Sequence, residues 1–136
     1  MTFPKGNAYK FAYQAHDGQF RRDGKTPYIC HPAGVARIVQ TFAECTDKHI
    51  AVAWLHDTLE DTATSVVDLL AEFPQDVVEA VCCLTNDGKD YGTYIANIVE
   101  NHLARLVKLA DIMHNLSDSP TPKQCEKYAK VLRVLL

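Results

Sequence analysis

The chain contains no apolar run approaching the roughly 20 residues needed to cross a bilayer. Its opening residues, MTFPKGNAYK, lack the hydrophobic middle of a secretory signal. A membrane partner is therefore not expected, and the compartment expected is the cytoplasm. There is no excess of positive charge either: 14 Lys and Arg against 17 Asp and Glu leave a net charge of −3 and a pI near 6.0. Nucleic acid, whose phosphates are neutralised by clustered lysine and arginine, is not an expected partner, whereas a small anion needs only a local basic patch. The five cysteines, at 30, 45, 82, 83 and 125, are odd in number and include no CxxC pair. Neither a disulfide framework nor a zinc ribbon fits, and the expectation is reduced thiols buried as small hydrophobes. Repeats, low-complexity tracts, linkers and sustained strand-type alternation are also missing.

What is present is helical periodicity in a chain of 136 residues, 47% hydrophobic and 23% charged, read as one domain over residues 1–136. Ala8, Phe11, Ala12 and Ala15 form one face of a first helix that Gly18 should end. The segment GQFRRDGKTPYICHP, with two glycines and two prolines, reads as a surface loop. A second helix should begin near Pro32 and carry Val35, Ile38, Val39 and Phe42; a third, capped by Asp47, should run through Trp54 and Leu55 into His56 and Asp57. After the polar stretch TLEDTAT, Ser65 with Asp68 suggests a capping box, and Pro74 opens the next helix through Leu84. Tyr91 to Leu116 is helical with an interruption near Asn101, and Lys123 to Leu136 forms the last amphipathic helix. The expected fold is all-α.

Three places put imidazole or carboxylate into this apolar pattern: His31 before Pro32, the pair His56–Asp57, and Asp111. Carboxylates drawn into a core need partners. One divalent cation such as manganese, iron or zinc would satisfy two neutral imidazoles and two carboxylates together, leaving positions for water. Asn115, four residues beyond Asp111, shares its helix face.

A histidine, then an HD pair, then a distant aspartate on helices resembles the HD hydrolase superfamily. The segments AYQAHDGQFRRDGKTPYICHPAGVARIV, AVAWLHDTLEDT and LVKLADIMHNL resemble the hydrolase domain of the RelA/SpoT proteins and its free-standing form, the small alarmone hydrolases, over residues 8 to 116. The resemblance implies a compact HD-domain helical bundle of about seven or eight helices. It implies His31, His56, Asp57 and Asp111 as ligands of one divalent metal, most simply Mn(2+), and Glu60 and Asp61 as the acidic pair that orients or deprotonates water. It further implies Arg21 and Arg22 as the basic grip on substrate phosphate or purine, and Asn115 as a contact to the nucleotide sugar. His16 is read as a structural hydrogen-bonding residue, and His49, His102 and His114 are not read as ligands.

The activity implied is hydrolysis of the 3′-pyrophosphate of guanosine tetra- or pentaphosphate (ppGpp, pppGpp) to GDP or GTP and pyrophosphate. The partner implied is a small-molecule nucleotide, with oligomerisation left open. Where many family members carry a basic residue, this chain has Ile112 and Ser117, which suggests altered substrate contacts there. Two alternatives stay open: the same centre acting on another nucleotide or on the phosphate of NADPH, and a non-catalytic nucleotide sensor.

Overall fold

A computed structural model describes residues 5–136; the first four residues of the opening segment discussed above lie outside the described residues. The described residues form nine α-helices: α1 Lys5–Ala15, α2 Cys30–Val39, α3 Asp47–Leu55, α4 Thr58–Asp61, α5 Val66–Leu70, α6 Gln75–Cys83, α7 Tyr91–Val99, α8 His102–Leu116 and α9 Pro122–Leu135. Extended pairing among them is limited to one bridge between Phe20 and Pro27, so the all-α expectation holds. The helix beyond those counted from periodicity is α4, a single turn of TLED within the polar stretch.

Local chemistry explains most boundaries. Gly18 adopts φ +80°, a conformation that costs an L side chain strain, and turns the chain out of α1 into the loop. Pro32 sits in the first turn of α2, where no N–H is required, although the helix starts two residues earlier, at Cys30. The cap of α3 is Thr46 rather than Asp47: the Thr46 N–H donates to His49 Nδ1 at 3.0 Å, and Thr46 Oγ1 lies 2.9 Å from the same nitrogen. Asp47 becomes the first helical residue, where its charge suits the positive end of the dipole. Ser65 and Asp68 form the reciprocal box expected for α5. Asn101 Oδ1 accepts from the Ala104 N–H at 3.0 Å, which is the interruption between α7 and α8.

Helix α8 is the central post and packs against α2, α3, α6, α7 and α9, while α3 also packs on α1, α2 and α6. Leu55, Leu69, Ile98 and Ile112 are among the fully buried side chains between these helices, each worth roughly 1.5–3 kcal/mol of burial. Because α2, α3 and α8 are mutually packed, the start of α2, the end of α3 and the middle of α8 meet at one place. No helix of the described residues is long and apolar enough to cross a membrane. The expectation of buried thiols fails: Cys30 and Cys125 are exposed, and Cys45, Cys82 and Cys83 are only partly buried against the core.

Candidate metal centre

His31 is the second residue of α2, His56 caps the end of α3, Asp57 precedes α4, and Asp111 lies in mid-α8. Ligand atoms of His31, His56 and Asp111 all lie within 4.8 Å of one another, and those of Asp57, Glu60 and Asp61 do the same beside them. Asp57 joins the two groups, since its Oδ2 is 3.2 Å from His56 Nε2 and 3.6 Å from His31 Nε2. His31 Nε2 lies 2.8 Å from Asp111 Oδ1.

His56 tests whether this donor set suits a cation. Its Nδ1 is 2.7 Å from the Ala53 carbonyl, which can only accept, so the ring hydrogen sits on Nδ1. Nε2 is left buried, turned towards two carboxylates and without a hydrogen bond. An orphaned imidazole nitrogen beside carboxylates is the donor chemistry a divalent ion uses. A proton competes with a cation for that nitrogen. Burial opposes the charged form of His56, but Asp57 and Asp111 overcome it and hold its pKa well above the usual value. Burial likewise opposes the Asp57 carboxylate, yet the His56 ring brings its pKa down to about 2. Asp111, against the same penalty, is held well below the ordinary range by Lys108 and then by the two rings. A pocket that draws in positive charge this strongly fits a metal.

Glu60 and Asp61, on α4, stand at the mouth of the same cavity of about 190 Å³. Glu60 Oε1 accepts from the Asn86 N–H at 2.9 Å, tying the 85–88 turn to the site. Asp61 is braced from the first loop: His16 Nδ1 lies 2.9 Å from Gln19 Oε1, and Gln19 Nε2 donates to the Asp61 carbonyl at 2.7 Å. Although both residues reach solvent, desolvation by the cavity wall raises both carboxyl pKa values, with Asp57 adding to the rise at Asp61.

Arg21 lines this cavity and two neighbouring clefts of about 540 and 380 Å³, while Arg22 lines the two clefts. The Arg21 guanidinium ion-pairs with Asp118 at 2.8 Å and lies 5.9 Å from the Tyr28 ring centroid. Asn115 Nδ2 donates to Asp111 Oδ1 at 3.3 Å and lines the metal-side cavity. Of the two positions where the sequence departs from the family pattern, Ile112 is fully buried in the core and cannot touch a ligand, whereas Ser117 lines the larger cleft.

Sequence reasoning missed three residues. Tyr28, within PYI, donates its phenol hydrogen to Asp57 Oδ2 at 2.7 Å and lies 3.3 Å from Asp61 Oδ2. Lys108 donates to Asp111 Oδ2 at 3.1 Å from one turn back in α8, and its position i−3 to a suspected ligand was the available signal. His114, set aside as a ligand, lies outside the ligand cluster but touches it, with its Nδ1 2.8 Å from His31 Nδ1. His49 and His102 pair with each other, ring centroids 4.9 Å apart, on another side of α8.

The HD domain family matches residues 8–86. The chain is 40% identical over 119 residues to a Xenopus tropicalis guanosine-3′,5′-bis(diphosphate) 3′-pyrophosphohydrolase MESH1, a match that takes in 82% of this chain and 66% of that protein. It is 37% identical to the Homo sapiens MESH1 over 124 residues, again 82% and 66%. An Aquifex aeolicus guanosine-3′,5′-bis(diphosphate) 3′-pyrophosphohydrolase is 36% identical over 120 residues, with 80% of this chain matching 17% of that protein. The chain thus spans a little under two thirds of the MESH1 relatives and a small part of the longer one. A solved structure, described as a metazoan ortholog of SpoT that hydrolyzes ppGpp and plays a role in starvation responses, superposes with a TM-score of 0.79 at 28% identity, over 99% of this chain and 86% of that one.

Proposed function

Since the chain belongs to the HD domain family, we propose that it is a metal-dependent hydrolase that removes the 3′-pyrophosphate from guanosine tetra- or pentaphosphate, releasing pyrophosphate and GDP or GTP. The observation that carries the reading is the buried, unpartnered His56 Nε2 at the meeting point of His31, Asp57 and Asp111. The relatives named as guanosine-3′,5′-bis(diphosphate) 3′-pyrophosphohydrolases support the substrate.

In this reading His31, His56, Asp57 and Asp111 hold one divalent ion, and manganese suits their mixture of imidazole and carboxylate. The bound ion supplies Lewis acidity, polarising a phosphate oxygen and making water more acidic. Asp61, braced by Gln19 and facing Tyr28, orients the attacking water and takes its proton. Glu60, held by the Asn86 N–H, keeps the turn against the site and adds acceptor capacity at the mouth. Water attacks the phosphorus next to the ribose, the bond from that phosphorus to the 3′-oxygen breaks, and the 3′-oxygen leaves as a hydroxyl after taking a proton. Arg21, fixed by Asp118 beside Tyr28, presents guanidinium N–H groups to phosphate oxygens, with Arg22 at the rim of the clefts. Asn115, held by Asp111, faces the sugar.

The test is a substrate panel: manganese-loaded protein given guanosine tetraphosphate, NADPH and ordinary nucleoside phosphates in parallel. Release of pyrophosphate from the tetraphosphate is expected. Turnover of NADPH alone would reassign the substrate, and tight binding with no turnover of any would make the protein a sensor.

A further inference from the structure

Two pairs of residues interlock where α2 crosses α8. On α2, His31 and Gly34 are three apart; on α8, Asp111 and His114 are three apart, so each pair lies on one helix face. His31 reaches across to both members of the other pair: its Nε2 lies 2.8 Å from Asp111 Oδ1 and its Nδ1 lies 2.8 Å from His114 Nδ1. Gly34 lies beneath the His114 ring, where a Cβ would come within 2.3 Å of both Cδ2 and Nε2. The close approach of that ring to the α2 backbone therefore depends on glycine.

Two ring nitrogens 2.8 Å apart share one hydrogen, which one donates and the other accepts. If His31 Nδ1 carries it, His31 Nε2 keeps a lone pair pointing into the His56–Asp57–Asp111 cluster, and a cation held there would bridge it to the Asp111 carboxylate oxygen 2.8 Å away. If His114 Nδ1 carries it, His31 must hold its own hydrogen on Nε2, and that nitrogen cannot bind a cation. We infer that His114 is the positioning residue for His31: its Nδ1 accepts the His31 Nδ1–H, and this contact, made room for by Gly34, sets His31 in the tautomer and orientation that ligate the metal. The inference rests on the metal centre of the proposed function and adds the outer partner that such a ligand needs. Asp111 and His114 then serve the same imidazole from successive positions on one face of α8.

Asparagine places its Oδ1 close to where histidine places Nδ1, so His114→Asn keeps the acceptor, whereas His114→Phe keeps the ring shape and loses it. Gly34→Ala displaces the ring without replacing either histidine. The wild type and the three variants are titrated with manganese alone against a chelating fluorophore, with thermal unfolding of the metal-free proteins as the check on folding. His114→Phe and Gly34→Ala are expected to weaken manganese binding on the order of 10- to 100-fold, with His114→Asn close to wild type. Nitrogen NMR of the imidazoles with diamagnetic zinc bound in place of manganese should show the His31 hydrogen on Nδ1 in the wild type and in His114→Asn. Should His114→Phe not fold, Gly34→Ala carries the comparison. Wild-type affinity in the folded acceptor-less or displaced variant, or equal losses in His114→Asn and His114→Phe, overturns the inference and leaves the metal centre standing. A wild-type protein that takes up no manganese overturns both.

Discussion

The Tyr28 phenol donates to Asp57 Oδ2 at 2.7 Å, so a residue of the first loop holds in place the aspartate that follows α3. Asp57 is thereby shared by three elements: His56 lies on one side, His31 on another, and Tyr28 beneath the acidic pair. Burial, and then the neighbouring Asp57, push the Tyr28 pKa far above its ordinary value, so the phenol stays a donor at any working pH.

Tyr28→Phe should remove that hydrogen bond at a cost of roughly 1 kcal/mol in stability, and should slow turnover more than it weakens substrate binding. Urea denaturation and a comparison of kcat with KM check this; an unchanged kcat would mean that the phenol only packs.

Asp61→Asn should leave manganese content at the wild-type level and lower hydrolysis of guanosine tetraphosphate by about 10²- to 10⁴-fold, the range of a lost general base. Elemental analysis alongside pyrophosphate release measures both. Wild-type turnover in this variant would take Asp61 out of the mechanism.

Manganese binds the folded chain and not the unfolded one in this reading, so it should raise the melting temperature. At one hundred times the dissociation constant, the gain is about 2.7 kcal/mol. Chelation should reverse it, and His56→Ala, lacking the orphaned nitrogen, should show no shift in a manganese titration followed by calorimetry.

Away from the centre, burial and then the nearby His102 lower the pKa of His49, against a smaller opposing effect of Glu44. The unfolded chain, with a histidine pKa near 6.5, therefore binds this proton more readily than the folded one. Its contribution to stability is fully present above about pH 6.5 and is lost as pH falls through the lower folded-state value. His49→Asn, which can still accept from the Thr46 N–H, should flatten that part of the profile in urea melts between about pH 5 and 7.5.

The parts legible in the sequence were those with a local cause. Ser65 with Asp68 was visible as a cap because capping involves residues three apart, and Asn101 was visible as an interruption, which the structure shows to be the cap of α8. Thr46 was passed over for Asp47 because its partner is an imidazole, His49, outside the usual capping vocabulary. TLED read only as a polar stretch because one turn shows no periodicity. Ile112 looked like a change at the ligand face, yet one position along α8 from Asp111 swings the side chain by about 100° into the core.

By itself the sequence determined all the helices but the single turn α4, the donor types at His31, His56, Asp57 and Asp111, and the family they resemble, because periodicity, capping and motif order are written in neighbouring residues. The tertiary structure decided which of the six histidines meet, since a residue's place in the chain does not say what faces it across a helix crossing. His31 meets Asp111 and His114 because Gly34 lets α2 and α8 approach, and His56 turns an unpartnered nitrogen inward because its other one is bound to Ala53. Tyr28 and Lys108 took their roles from the same packing, which brings the side chains of distant segments within hydrogen-bond reach of two carboxylates.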